Sequence, residues 1–476
     1  MMNRSAVIDA TRALLDNHAH ESARLARIDA AMAPWTRQEV ARRYNIPTLG
    51  TQAAERQLRI AKDSQALFLP LVLDTFAQSM KVDNYLASNH EQAPAWTHWQ
   101  RNAMDAAQTG ITRAAMQYGT SYAIVLPGQF GAPGLRDGGG SAPIITGASP
   151  RSMSCFYGEA IGWPQEASVT TEWPIMALEI KGRRLRLIDE EAVYYIGAKQ
   201  EPSNPTLWSD ATWNHGLNFE FIEARPHGIG VTPVVRFRDR WLVDGERQSG
   251  IIEPLLSIQD RIDRTSFEMG IAQYFAAFKQ RYVVGWMPED EEDVLRMKAS
   301  DTWFIDRKAG EVTVGQFDET DLTRYIESRK ASIQDLAAIA QVPVQFLGAG
   351  SISNVSAEGL AAMEMAKDRK ASEIQTSLGE SYEQMLRLCA HIDGDEQGAA
   401  DFAAEVKWRD QTARSFAQTV DGLGKLAQML DIPAEMLWED IPGYTAEKIR
   451  RIKAYAQAHP EPTADDEISN QPAFLG

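Results

Sequence analysis

The chain has little of what secreted scaffolds and most enzymes are built from. Of its 476 residues only two are cysteine, Cys155 and Cys389, far apart and outside any CxxC. That excludes a disulfide framework and a zinc site as organising features, and a reducing compartment suffices. The eight histidines are dispersed, with no HExxH and no Cys/His ligand pair. A lone helical histidine such as His391 reads as a packed or surface residue. GxSxG and Walker A sequences are also missing, so neither an α/β-hydrolase nor a P-loop ATPase is supported. The 65 carboxylates guarantee chance pairs, and a glycosidase-type pair cannot be chosen among them without geometry. No catalytic residue, metal or cofactor is assigned.

Long hydrophobic runs are missing too. The longest, residues 66–76, contains Pro70 and Asp74 and falls far short of the roughly 20 residues a membrane span needs. Residues 1–15 carry no apolar signal-peptide core; Asp9 interrupts them and Asp16 follows directly. The expectation is a soluble protein made in the cytoplasm, with no membrane partner. Basic charge is short as well: 48 Lys and Arg against 65 Asp and Glu leave a net −17. A protein that wraps DNA carries a basic excess, so that class is disfavoured. One that lets DNA pass without gripping it is not. Hydrophobic residues at 44% and charged residues at 24% are ordinary for a folded protein, which excludes disorder as the dominant state. The length suggests about three domains.

What is present is an order of elements. Residues up to about 123 read helical, with Val7, Ala10, Leu14, Leu25 and Ile28 at helical spacing and further helices over 58–80 and 96–118. A strand follows over 121–126. The glycines between 128 and 140 make a loop at the tip of a hairpin, and with no GK[ST] after them a phosphate cradle is discounted. From 144 to 237 the pattern is β, with strands at 176–180, 185–188, 193–196, 219–222 and 234–237. Trp163, Trp173, Trp208 and Trp213 in this region read as core or interface anchors.

A long helix is predicted over 251–278, with Pro254 in its first turn and Leu255, Ile258, Ile262, Phe267 and Ile271 on its apolar side. A small module follows: a strand at 282–286, a helix at 288–300 with an acidic first turn, then strands at 302–305 and 311–317 joined across 308–310. The helix at 319–341 returns, with Leu322, Ile326, Ile333, Leu336 and Ala340 on one side, and Pro343 ends it. Residues 344–355 read as irregular. Ser356 can cap the next helix, which runs to about 392 and carries the stripe Ile374, Leu378, Tyr382, Met385, Cys389 and Ile392. A strand at 403–409 and helices at 416–430 and 446–457 complete the chain. The tail from 460 reads as disordered.

Two helices flanking a small module suggest a stalk whose stripes need neighbours in a ring or bundle. In this context Val342-Pro343-Val344-Gln345-Phe346-Leu347-Gly348, then Asn354-Val355-Ser356-Ala357-Glu358-Gly359-Leu360, then the long helix with Lys367 and Arg369-Lys370, resemble the portal proteins of tailed bacteriophages of the SPP1 portal-like family. The resemblance rests on the order and spacing of these motifs from about residue 50 to 458. The Gly-rich loop has no counterpart assigned.

The resemblance implies an α+β portal fold with a mixed α/β wing, a two-helix stem, a small α/β clip and a helical crown, assembled as a ring that is usually a dodecamer. The implied divisions are an N-terminal wing region 1–250, a first stem helix 251–278, a clip 279–318 and a second stem helix 319–341. A tunnel loop 342–355, a long helix returning to the wing 356–410, a crown 411–459 and a tail 460–476 follow. The implied role is structural: the channel for double-stranded DNA packaging and ejection at the capsid portal vertex, without sequence specificity. The implied partners are the major capsid protein, the terminase large subunit and the head-completion adaptor. The protein would sit in the virion, and in the host cytoplasm during assembly. Gly348, Gly350, Ser351, Ile352, Ser353, Asn354 and Val355 become the DNA-facing tunnel loop. Arg261, Arg264, Arg324, Arg329 and Lys330 become stem channel candidates, each of which could instead serve in an ion pair with a nearby acid. Trp286, Trp303 and Phe304 become clip interface candidates. The alternatives are a non-portal head adaptor or minor head protein, or a carboxylate-based hydrolase.

Overall fold

The computed structural model describes residues 1–47, 51–130, 142–157, 173–199, 219–242, 248–277, 281–284, 312–316, 321–348, 357–409, 416–430 and 446–458, with six single positions between 432 and 444. In chain order, α1 (Arg4–Met32), α2 (Arg37–Tyr44), α3 (Gln52–Asp63) and α4 (Phe68–Ala77) precede β1 (Val82–Leu86). Next come α5 (Trp96–Arg101), α6 (Met104–Tyr118), β2 (Thr120–Pro127), β3 (Pro143–Ala148) and β4 (Met153–Tyr157). Strands β5 (Pro174–Lys181), β6 (Arg184–Ile188), β7 (Ala192–Ala198), β8 (Phe219–Pro226) and β9 (Val234–Arg238) lead to α7 (Leu256–Ala277). Then come β10 (Arg281–Val284), β11 (Thr313–Gln316), α8 (Thr323–Ala340), α9 (Ala357–Asp393) and α10 (Glu396–Ala400). The described part ends with β12 (Glu405–Trp408), α11 (Phe416–Leu430) and α12 (Ala446–Ala458). The class is mixed α+β.

The chain divides into two compact units, one of residues 1–26, 73–251 and 368–476, the other of 27–72 and 252–367. In the first, β4-β5-β6-β7-β8 make an antiparallel sheet in sequence order. Their alternate side chains, Leu178, Ile180, Leu185, Leu187, Tyr194 and Ile196, are buried against Val7, Leu14 and Leu15 of α1. The helical period of α1 and the two-residue period of the strands thus meet on one core. A second sheet has the order β3-β2-β9, and every residue of its centre strand β2 is buried. The pairing of β2 with β3, from Tyr122 opposite Ala148 to Pro127 opposite Pro143, is the hairpin expected around the Gly-rich loop, of which 131–141 lie outside the described residues. The stripe of α9 is buried as expected, with Leu378, Tyr382, Met385 and Cys389 at 0% exposure. Tyr382 meets Trp99 and Phe237 edge-on, and its hydroxyl shares a 2.8 Å hydrogen bond with Thr112.

Two expectations change. The helix expected over 96–118 is two, because Ala103 takes a left-handed φ of 52°. The Asn102 side chain accepts the Ile145 N–H at 3.0 Å and donates to the Pro143 carbonyl at 3.0 Å, which holds β3 at the break. A strand, β1, interrupts the N-terminal helical region and pairs with β12, more than 300 residues later. Such a pairing leaves no local signal. Of the four tryptophans in the β region, Trp173 donates to the Thr232 carbonyl at 2.9 Å; Trp163, Trp208 and Trp213 lie outside the described residues.

Candidate functional site

In the second unit α2 opens with a reciprocal cap: Thr36 accepts the Glu39 N–H, and the Glu39 carboxylate accepts the Thr36 N–H. Trp35, Val40, Ile46, Ala54 and Leu58 form a core with Tyr44 and Phe267 packed on it. Helix α7 begins with a 3₁₀ turn at Glu253–Leu255 that contains Pro254, where a missing N–H costs nothing. α7 and α8 pack on each other, and Leu255, Ile262, Ile333, Leu336 and Ala340 are buried. Ile326 departs from the expected stripe: it is 57% exposed, and Ile339 is 51% exposed.

The buried side of α7 is not wholly apolar. Asp263, 1% exposed, accepts the Ala66 N–H at 2.8 Å and the Gln259 side-chain N–H at 2.9 Å. Gln259 also donates to the Ala66 carbonyl. Both main-chain groups of Ala66 are therefore held by α7 side chains rather than by a helix. This is why the single helix expected over 58–80 is broken into α3 and α4. Burial pushes the Asp263 pKa up to about 6.

The five cations expected on a stem, all on α7 and α8, separate into two kinds. Arg261 pairs with Asp335 at 2.5 Å across α7 and α8. Arg324 lies 3.6 Å from Asp321, which stands just before the N-terminus of α8. Arg329 donates through Nε to Ser266 at 3.0 Å, with its guanidinium 5.9 Å from the Phe68 ring centroid. Arg264 and Lys330 are exposed and have no ion pair among the described residues.

α8 ends at Gln341, whose left-handed φ of 59° returns its N–H to Ala337 and Ala338, two residues before Pro343. The segment read as irregular begins instead with a 3₁₀ turn, Val344–Leu347, anchored by Leu347 at 5% exposure. Gly348 follows with φ 72°, a conformation glycine adopts without strain. The Lys367 ammonium sits 5.9 Å from the Phe346 ring centroid, a cation–π contact between the two flanks of the loop. Gly350, Ser351, Ile352, Ser353, Asn354, Val355 and the capping Ser356 lie outside the described residues.

At the expected clip, β10 pairs with β11, from Arg281 opposite Gln316 to Val284 opposite Thr313. The pairing joins the first and last strands of the expected module. The acidic helix at 288–300, the strand at 302–305, Trp286, Trp303 and Phe304 lie outside the described residues. Sequence reading missed the Asp263–Gln259 clamp and the Lys367–Phe346 contact. The only available signal was a Gln and an Asp, four apart, on the face of a helix that is otherwise apolar. Among the described residues no group of three or more His, Cys, Asp or Glu is placed to hold a metal. No described helix is long and apolar enough to cross a membrane.

The geometry can be set beside known proteins. The chain is 24% identical over 369 residues to the portal protein of Mycobacterium phage D29, covering 75% of this chain and 71% of that one. It is 24% identical over 378 residues to the portal protein of Mycobacterium phage L5, with the same coverage. Among solved structures it is similar to a chain from the neck of an empty gene transfer agent particle, at a TM-score of 0.46 and 12% identity, covering 89% of this chain and 94% of that one. A chain from the virion of a native gene transfer agent particle has a TM-score of 0.48 at 12% identity, covering 83% and 99%. The profile of the phage portal proteins, SPP1 Gp6-like, matches residues 72–460. That span includes α7 and α8, the paired strands β10 and β11, the turn at 344–348 and the whole of α9, and the chain belongs to this portal family.

Proposed function

We propose that this portal-family chain assembles into a closed ring, a dodecamer in the family's usual form, at one vertex of a phage capsid. The ring is the channel through which double-stranded DNA enters in packaging and leaves at ejection. The observation that carries this reading is the family match over 72–460. On this reading residues 1–250 and 356–410 are the wing and 251–278 and 319–341 the stem. Residues 279–318 are the clip, 342–355 the tunnel loop and 411–459 the crown. Residues 27–72 fall in the same compact unit as the stem. The ring meets the major capsid protein, and docks the terminase large subunit and then the head-completion adaptor. It is a virion component that passes through the host cytoplasm during assembly. Trp286, Trp303 and Phe304 are its clip interface candidates.

The net charge of −17 supports a conduit rather than a grip. Many phosphate contacts from Lys and Arg would make release slow. With Arg261, Arg324 and Arg329 engaged within the chain, Arg264 and Lys330 remain the candidates for guiding the duplex. Electron microscopy of the purified protein tests the reading directly. A ring with a hole wide enough for a duplex is expected, and a monomer at micromolar concentration in sedimentation would overturn it.

Two further results are expected. Ile262 and Leu336 are already buried within one chain, so the subunit contact falls to the exposed apolar side chains of α8. Ile326→Asp combined with Ile339→Asp should abolish rings by sedimentation. Chain stability should change by only about 0.5 kcal/mol per site, the usual range for surface substitutions. Rings that survive the double substitution would remove α8 from the interface. Separately, Ser351, Ser353 and Asn354 can contact phosphates without adding charge. Deleting residues 350–353 should leave rings intact while DNA-filled particles fall to background; a normal yield of filled particles makes the segment a plain connector.

A further inference from the structure

A cavity of about 370 Å³ opens in the first unit between α1, β2, β4 and β9, within the size range of small-molecule sites. Three buried polar atoms on its wall have no hydrogen-bond partner among the described residues: His18 Nδ1, Gln248 Oε1 and Arg236 Nε. Orphaned polar atoms are rare in folded proteins and each one calls for an explanation. Here three from separate parts of the chain share one cavity.

The character of each atom follows from its surroundings. His18 is 3% exposed, and its Nε2 lies 3.1 Å from the Pro150 carbonyl and 3.2 Å from that of Arg151. Carbonyls only accept, so Nε2 carries the proton and Nδ1 is a bare acceptor. Burial lowers the pKa of the ring and keeps it neutral. Gln248, 8% exposed, presents a second acceptor in Oε1, while its main-chain carbonyl accepts from Arg24 at 2.5 Å. Arg236 is the donor. Its guanidinium stacks over Tyr157, 4.7 Å from the ring centroid, and the Tyr157 hydroxyl in turn donates to Tyr122 at 3.2 Å.

The charges on the wall do not cancel. Arg24 is paired with Glu21 at 3.0 Å. Arg236 has no ion pair among the described residues, and a half-buried cation calls for an anion. The wall therefore offers one unmatched positive charge with its N–H, and two acceptors that need donors. Water can satisfy the acceptors but cannot match the charge.

We propose that this cavity binds a small oxyanion carrying its own hydroxyl: a hydroxycarboxylate or a hydrogen phosphate. Arg236 donates to the negative oxygen, and the ligand hydroxyl donates to Gln248 Oε1, with a water donating to His18 Nδ1. The site lies within one chain and stands independently of the ring.

The test is calorimetric titration of the purified full-length protein at constant ionic strength set with chloride, using inorganic phosphate, glycolate and acetate. Saturable binding of phosphate or glycolate is expected, one per chain, and the two arms tell phosphate from carboxylate. Acetate, which has the charge without the hydroxyl, should bind about tenfold more weakly than glycolate, the worth of one hydrogen bond. Gln248→Leu should weaken binding by a similar factor and Arg236→Met by more. If Arg236→Met fails to fold, Gln248→Leu decides the matter, because the Arg24 bond is to the main chain and survives it. No saturable binding of either anion, or unchanged binding in Gln248→Leu, overturns the proposal and leaves a water-filled cavity.

Discussion

Gly250→Ala is expected to leave little folded protein. Gly250 has φ 68°, and a Cβ there would lie 2.6 Å from the Met116 carbonyl oxygen and 2.7 Å from the Gly119 nitrogen. Gly119, at φ 89°, faces it: a Cβ there would lie 2.7 Å from the Gln248 carbonyl carbon. The end of α6 and the chain about to enter the 3₁₀ turn before α7 therefore touch main chain to main chain, with no room for a methyl group. The Ile251 N–H donates to the Met116 carbonyl at 2.8 Å, and the Arg24 guanidinium bridges the Tyr118 and Gln248 carbonyls. An alanine carries about 1–2 kcal/mol of left-handed strain and about 1–3 kcal/mol of overpacking. Their sum is a large share of the roughly 5–15 kcal/mol a folded domain has to lose. Gly348→Ala is the control. It has a similar φ of 72° but nothing within 4 Å of a Cβ, so strain alone should appear, about 1–2 kcal/mol. Thermal melts and soluble yield compare the two. Equal, small losses at both positions would show that the close approach at Gly250 does not exist in solution.

Asp263→Asn should raise stability at pH 7.5 and do almost nothing at pH 4. Burial pushes the Asp263 pKa from 3.8 up to about 6, so the folded state holds this proton more tightly than the unfolded chain does. Below pH 4 both states are protonated and the group has no effect. As pH rises from about 4 to about 6 the unfolded chain releases its proton first, and stability falls. Above pH 6 the full cost of the buried charge is present, about 3 kcal/mol. Asparagine keeps an oxygen to accept the Ala66 N–H and carries no charge. Arg43 and Asp260, the other charged groups acting on Asp263, act on its ionised form in opposite directions and are already contained in the pKa of about 6. Denaturant melts at the two pH values measure it. A variant less stable than the parent at pH 7.5, or a difference that does not change with pH, would show that the carboxylate is ionised and satisfied in the fold.

The long periodic elements were readable because their cause is local. The stripe Ile374, Leu378, Tyr382, Met385, Cys389 and Ile392 follows the 3.6-residue repeat; the first five are buried and Ile392, near the end of the helix, is half-buried. The strands from 176 to 237 alternate and carry their own turns. Those up to β8 pair with sequence neighbours, so little beyond the local pattern was needed, whereas β9 pairs with β2 more than 100 residues earlier. The cations of α7 and α8 were legible only as charges. Nothing in the spacing of Arg261 and Asp335, 74 residues apart, says that they pair. Ile326 and Leu336 fit the same stripe, yet Leu336 is fully buried and Ile326 is 57% exposed, because burial depends on what lies opposite and not on the period.

By itself the sequence determined the class of elements, the order of helix, small module, helix, turn and long helix, the acid excess, and through them the family. These are properties of near neighbours along the chain and of composition. Only the tertiary structure decided where one helix becomes two, since the break at Ala66 is made by Asp263 and Gln259 almost 200 residues away. It also decided that β1 pairs with β12, that Arg264 and Lys330 are exposed with no ion pair among the described residues, and that three polar atoms without a hydrogen-bond partner among those residues share one cavity. Each of these is a contact between groups far apart in the chain, and such contacts have no periodicity to read.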